Sequence, residues 1–137
     1  MKVEHIGIAC RREAAAARFF GELLGLEKAS TKTVPAALSR QLFGIDAELR
    51  IANYVGDGIR FEVFFRDNPP ESAGPIAHVC LEVADSDALL ERARAMQVTV
   101  LRVSRGEDWV TFIEDEDGHR FEIKQARAEG ERRGPTP

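Results

Sequence analysis

The sequence predicts an α+β fold in which two βαβββ modules form a cupped, barrel-like mixed sheet with helices on its outer face. Three observations lead there. The stretch "DGIRFEVFF" at residues 57–65 returns as "DGHRFEIKQ" at 117–125. A second pair, "VEHIGIA" at 3–9 and "IAHVCLEV" at 76–83, sets a histidine early in an apolar alternation of strand type. Each histidine strand is followed by a stretch with helical spacing of apolar residues. The chain therefore reads as one motif written twice.

In the first copy, "REAAAARFFGELLGLEK" is alanine-rich, gathers Phe19, Phe20, Leu23 and Leu24 on one helical stripe, and places Gly25 as a C-terminal stop. Strands follow at "LEKASTKT" and "ELRIANYV", and a Gly- and Asp-containing turn leads into "RFEVFF". The second copy repeats the order. Asp85 or Ser86 caps a helix in which Leu89, Leu90, Ala93 and Met96 recur at helical spacing. "VTVLRV", "WVTFIED" and "RFEIK" supply its strands, with "EDEDG" as a hairpin turn that lacks the spacing of a calcium loop. Extra residues in the first copy fall in "TVPAALSRQLFGIDA", an insertion over one rim in which "AALSRQLF" forms a helical turn. The expected limits are a single domain over 1–125, with module one at 1–66 and module two at 75–125, and a disordered polar tail at 126–137.

A chain of 137 residues can bury a core without disulfide or metal support. It carries 44% hydrophobic and 31% charged residues, with no apolar run of membrane-spanning length and no signal-peptide pattern, so a soluble protein is expected. Cys10 and Cys80 are the only cysteines; free thiols and a cytoplasmic location are the simplest expectation. The net charge of −4, from 19 basic and 23 acidic residues, argues against nucleic acid and for a small-molecule or protein partner.

Strand alternation sorts the repeated segments into two faces. Phe61, Val63 and Phe65 share one face of "RFEVFF", and Phe121 and Ile123 one face of "RFEIK". These apolar faces must pack against the helices, which leaves His5, Glu62, His78 and Glu122 on the opposite side. Two imidazoles and two carboxylates suit one divalent ion per site, Ni²⁺, Zn²⁺, Co²⁺, Mn²⁺ or Fe²⁺, with positions open for water or substrate oxygens. Gly7, Ala9 and Cys80 leave space beside the histidines. Arg60 and Arg120 are read as outward, salt-bridging residues, Cys80 as a buried small thiol and His119 as exposed in its turn. Phe43, Trp109 and Phe112 are candidate pocket walls, although core packing accounts for strand aromatics equally well.

At "HIGIA", "FFGELLGLEK", "IRFEVFF", "IAHVCLEV" and "FIEDEDGHRFEI" the chain resembles the vicinal oxygen chelate superfamily, which includes glyoxalase I, methylmalonyl-CoA epimerase, extradiol dioxygenases and bleomycin or fosfomycin resistance proteins. The resemblance covers about residues 1–125 and implies paired βαβββ modules, with ligand places at His5, Glu62, His78 and Glu122. The His/Glu/His/Glu set is of the glyoxalase I type, whereas epimerase-like members commonly have glutamine at the place of Glu62.

The implied function is a metal-dependent lyase or isomerase acting on a small molecule with vicinal oxygens. It would abstract a proton beside a carbonyl and stabilise an enolate or enediolate on the metal. Glu62 or Glu122 can act as base, with Glu122 preferred. The alternatives are an extradiol-type ring-cleaving dioxygenase and a non-enzymatic binding protein of the bleomycin-resistance type. Family members of this length pair into homodimers, and strand edges that one module cannot cover support the same expectation here. The site lies either within one chain or across two.

Overall fold

The computed structural model describes residues 1–69 and 76–127; the tail expected to be disordered falls largely outside them. The order is β1 (Ile6–Cys10), α1 (Glu13–Ala16) with a π-helical continuation (Ala17–Leu23), β2 (Glu27–Val34), α2 (Ala36–Phe43), β3 (Leu49–Gly56), β4 (Ile59–Phe65), β5 (His78–Val83), α3 (Ser86–Ala95), β6 (Thr99–Arg105), β7 (Asp108–Glu114) and β8 (Arg120–Gln125). Both βαβββ modules are present, and the insertion in the first is α2.

Local chemistry sets the boundaries. The first helix widens into a π-helix, with the Leu24 N–H donating to the Phe19 carbonyl at 3.0 Å, and ends at Gly25, whose φ of +70° a side chain would resist. The Asp85 carboxylate accepts from the Ala88 N–H at 2.9 Å and caps α3. Between β3 and β4, Asp57 and Gly58 both hold positive φ, the backbone of a two-residue hairpin that matches strand twist.

Each module forms its own four-stranded mixed sheet, ordered β1-β4-β3-β2 and β5-β8-β7-β6, and neither sheet is closed. The histidine strands β1 and β5 are edge strands, running parallel to β4 and β8. No ladder joins the two sheets among the described residues.

The modules meet through their apolar faces instead. Phe61 and Val63 of β4, Phe121 and Ile123 of β8, Phe19, Phe20 and Leu23 of the first helix and Leu89, Leu90 and Ala93 of α3 form one buried cluster. The Phe121 ring lies 5.0 Å from Phe19 and 6.0 Å from Phe61, so a module-two strand packs directly on module one. Arg92 of α3 adds a polar tie, donating from Nε and Nη2 to the Leu23 carbonyl at 3.2 and 2.7 Å at the end of the first helix. Replacing Arg92 with methionine keeps the stem and removes both donors; thermal unfolding should show a loss of about 1–2 kcal/mol. An unchanged midpoint would mean that water satisfies that carbonyl equally well.

Candidate metal centre

Because both apolar faces turn inward to a shared core, the opposite faces of the two sheets turn outward, and these carry the predicted ligands. In module one the His5 Nε2 lies 3.4 Å from Glu62 Oε2. In module two the His78 Nε2 lies 3.4 Å from Glu122 Oε2. The strand register explains the match: Glu62 pairs with Gly7 and Glu122 with Cys80, each two residues past its histidine. For bonds of about 2.0–2.1 Å, neighbouring ligand atoms stand roughly 3.0–3.4 Å apart, so each pair fits two adjacent positions around a divalent ion.

The two pairs do not converge within one chain. Among the described residues, no three of His5, Glu62, His78 and Glu122 bring their ligand atoms within 4.8 Å of one another. Within the chain they form two separate His–Glu pairs.

The hydrogen bonds at the far ring nitrogens differ between the halves. His78 Nδ1 lies 2.8 Å from the Ile76 carbonyl, which can only accept, so Nδ1 carries a proton and a neutral His78 keeps its lone pair on Nε2, on the Glu122 side. His5 Nδ1 lies 3.2 Å from Arg60 Nη2, which can only donate; a neutral His5 therefore carries its proton on Nε2, toward Glu62. A metal at His5 must replace that proton. Arg60 is thus turned onto the site rather than outward, whereas Arg120 forms the expected ion pair, 2.8 Å from Glu114.

Module one's outward face carries further polar groups around its pair. The Lys32 ammonium donates to Glu62 Oε1 at 3.0 Å, and Asn53, opposite Glu62 in the ladder, donates to Ser30 Oγ at 3.1 Å. Asn53 Oδ1 is buried without a hydrogen-bond partner. Phe43 of α2 packs edge-on against Phe64 at 5.4 Å, walling this face as the insertion suggested. In module two, Phe112 stands opposite Glu122 in the ladder and packs edge-on against His78 at 5.4 Å. Trp109 is exposed and is stacked by Arg102 at 4.9 Å. Lys32 and Asn53 escaped the sequence reading; the alternation of Ser30 and Lys32 in β2 is the signal that could have found them.

Two further expectations are corrected. Cys80, read as buried, is exposed, because β5 is an edge strand whose Cys80 face looks outward; desolvation and the Glu122 charge raise its thiol pKa. His119, read as exposed, is folded back into its turn, where Nδ1 lies 2.7 Å from Asp115 Oδ2. Burial works against its charged form, but the Asp115 hydrogen bond and charge, joined by Asp117, outweigh this and raise its pKa. Both cysteines are free, as expected.

The sequence profile of the glyoxalase/bleomycin resistance protein/dioxygenase superfamily matches residues 2–123. The chain belongs to that superfamily. Solved structures of the superfamily fold agree. A glyoxalase family protein from Bacillus cereus superposes with a TM-score of 0.70 at 16% identity, covering 91% of this chain and 93% of its own. A glyoxalase family protein from Enterococcus faecalis gives 0.68 at 18% identity, covering 89% and 95%. The fosfomycin resistance protein FosX from Listeria monocytogenes, complexed with Mn(II) and sulfate, gives 0.66 at 16% identity, covering 93% and 94%. No protein of curated function matches the sequence. No helix among the described residues is long and apolar enough to cross a membrane.

Proposed function

We propose that this chain is a metal-dependent lyase or isomerase of the glyoxalase I-like type, acting as a cytoplasmic homodimer on a small molecule with vicinal oxygens. The observation that carries the reading is the duplicated half-site, one His–Glu pair per module at 3.4 Å and at the same register. Superfamily membership and the Mn(II) complex of FosX support a divalent ion at His5, Glu62, His78 and Glu122. Edge strands β1 and β5 each run beside the strand that holds the glutamate of a half-site, and each has an unpaired rim of backbone groups. In a two-fold dimer, β1 of one subunit beside β5 of the other would join His5 and Glu62 with His78 and Glu122 of the partner subunit, twice per dimer.

A divalent ion held there would supply positive charge to substrate oxygens as negative charge develops on them. The protein's own groups do the rest. Glu122 is the preferred base: the nearest ammonium to it, Lys124, stands 3.5 Å away, whereas Glu62 is held by Lys32 at 3.0 Å. A carboxylate with the looser partner is freer to turn toward a substrate C–H and take its proton. Asn53 Oδ1 can accept from a substrate hydroxyl, and Phe43, Phe64 and Phe112 can exclude water from the reacting carbon.

Exchange in D2O tests the reaction class. Metal-loaded protein should catalyse deuterium incorporation beside the carbonyl of small α-hydroxycarbonyl compounds, seen by NMR, and Glu122→Gln should slow it by about 10²-fold or more. No exchange across such a panel, together with oxygen uptake on catechols by the Fe²⁺-loaded protein, would favour the dioxygenase alternative.

A further inference from the structure

A second cluster of ligand-type side chains lies at the other end of β1. Cys10 closes the strand, five residues beyond His5, which is roughly 16 Å of extended chain, and it points to the opposite face. There Cys10 Sγ lies 3.8 Å from Asp115 Oδ2, and His119 Nδ1 lies 2.7 Å from the same oxygen. One ligand atom from each of the three residues falls within 4.8 Å of the others, and they are the only such triad among the described residues.

The charge balance calls for a cation. The Asp115 and Asp117 side chains are 4% and 5% exposed. Asp115 Oδ1 is satisfied by the N–H groups of Asp117 and His119, and Asp117 Oδ2 by the Arg11 N–H. Asp117 Oδ1, however, is buried with no hydrogen-bond partner; the nearest charge, Arg11 Nε, stands at 3.8 Å, beyond bonding distance. Burial, followed by the Asp115 and Asp117 charges, raises the pKa of the Cys10 thiol. Two nearly buried carboxylates and a thiol thus face one imidazole, one guanidinium at 3.8 Å and the Arg12 guanidinium, which is itself paired with Glu116, and the Asp117 oxygen stays without a hydrogen bond, an arrangement that a bound cation would stabilise.

We propose that Cys10, Asp115 and His119 form a second metal site, separate from the His–Glu pairs and suited to Zn²⁺ or another thiolate-accepting divalent ion. One sulfur, one nitrogen and one oxygen ligand leave a fourth tetrahedral position for water. Zinc bonds of about 2.0–2.3 Å set tetrahedral neighbours roughly 3.3–3.6 Å apart, so the Asp115–His119 contact opens slightly and the Cys10–Asp115 contact closes slightly on binding. Binding displaces the thiol proton and any proton on His119 Nδ1. Because Cys10 belongs to module one and the other two ligands to module two, the ion clasps the modules, beside the ion pair of Arg12 with Glu116.

Co²⁺ titration of the full-length protein tests this, in a Cys80→Ser background that leaves Cys10 as the only thiol. The expected result is a thiolate-to-cobalt charge-transfer band in the near ultraviolet that persists in His5→Ala, which leaves the other site defective, and there saturates at one equivalent. His119→Asn, at a half-buried turn position that tolerates the change, should weaken the affinity read from that band by about tenfold or more. Absence of the band at saturating Co²⁺ in the parent would overturn the proposal and leave the cluster as a hydrogen-bonded turn. A band of unchanged affinity in His119→Asn would equally reject this ligand set.

Discussion

Phe121→Ala should cost about 3–5 kcal/mol, a large share of the roughly 5–15 kcal/mol that holds a domain of this kind together. The ring is fully buried and touches Phe19, Phe20 and Phe61, so its loss opens a cavity where module two meets module one. No ladder between the sheets exists among the described residues to compensate. At about 3–5 °C per kcal/mol, the thermal midpoint should fall by roughly 10–20 °C. Trp109→Ala supplies the contrast. That ring is 55% exposed and packs only with Arg102 among the described aromatic and cation contacts, so its removal should cost about 1 kcal/mol or less. Similar midpoints for the two variants would show that the modules do not share this core.

The second large effect concerns metal. His5→Ala and Glu122→Ala each remove one ligand from every copy of the proposed site, and elemental analysis at moderate metal concentration should show its ion lost from both. Affinity should drop by at least about 100-fold, because a first ligand matters more than the supporting contacts that cost 10–100-fold. Neither side chain belongs to the apolar cluster, so the metal-free midpoints should stay within about 0.5 kcal/mol of the parent. That pairing separates ligand loss from unfolding. Metal content unchanged in both variants would remove His5 and Glu122 from the site.

Much of this fold is legible in the sequence, because strand and helix periods are local properties. The alternation around Phe61, Val63, Phe121 and Ile123 marks the buried faces, the Asp-Gly turn marks the β3–β4 hairpin, and "AALSRQLF" coincides with α2. Periodicity tells which residues share a face and not what that face meets. The separation of the sheets therefore could not be read, since the same four outward side chains serve a cup within one chain or halves of two. The π-helical turn at Ala17–Leu23 has no sequence signature apart from a helical stripe. The Cys10, Asp115 and His119 cluster was equally hidden. Its members lie more than 100 residues apart on one side, and only the packing of the β7–β8 turn against the end of β1 brings them together.

A site shared between subunits is the central claim, and mixing two defective chains tests it most directly. His5→Ala protein and Glu122→Ala protein, carrying different non-metal-binding tags, are unfolded together, refolded and purified through both tags to isolate heterodimers. In a shared arrangement one site of each heterodimer lacks both ligands and the other keeps all four, so about one ion per heterodimer should bind at this site with parental affinity. Isolated heterodimers that bind no better than either parent variant would contradict the shared site.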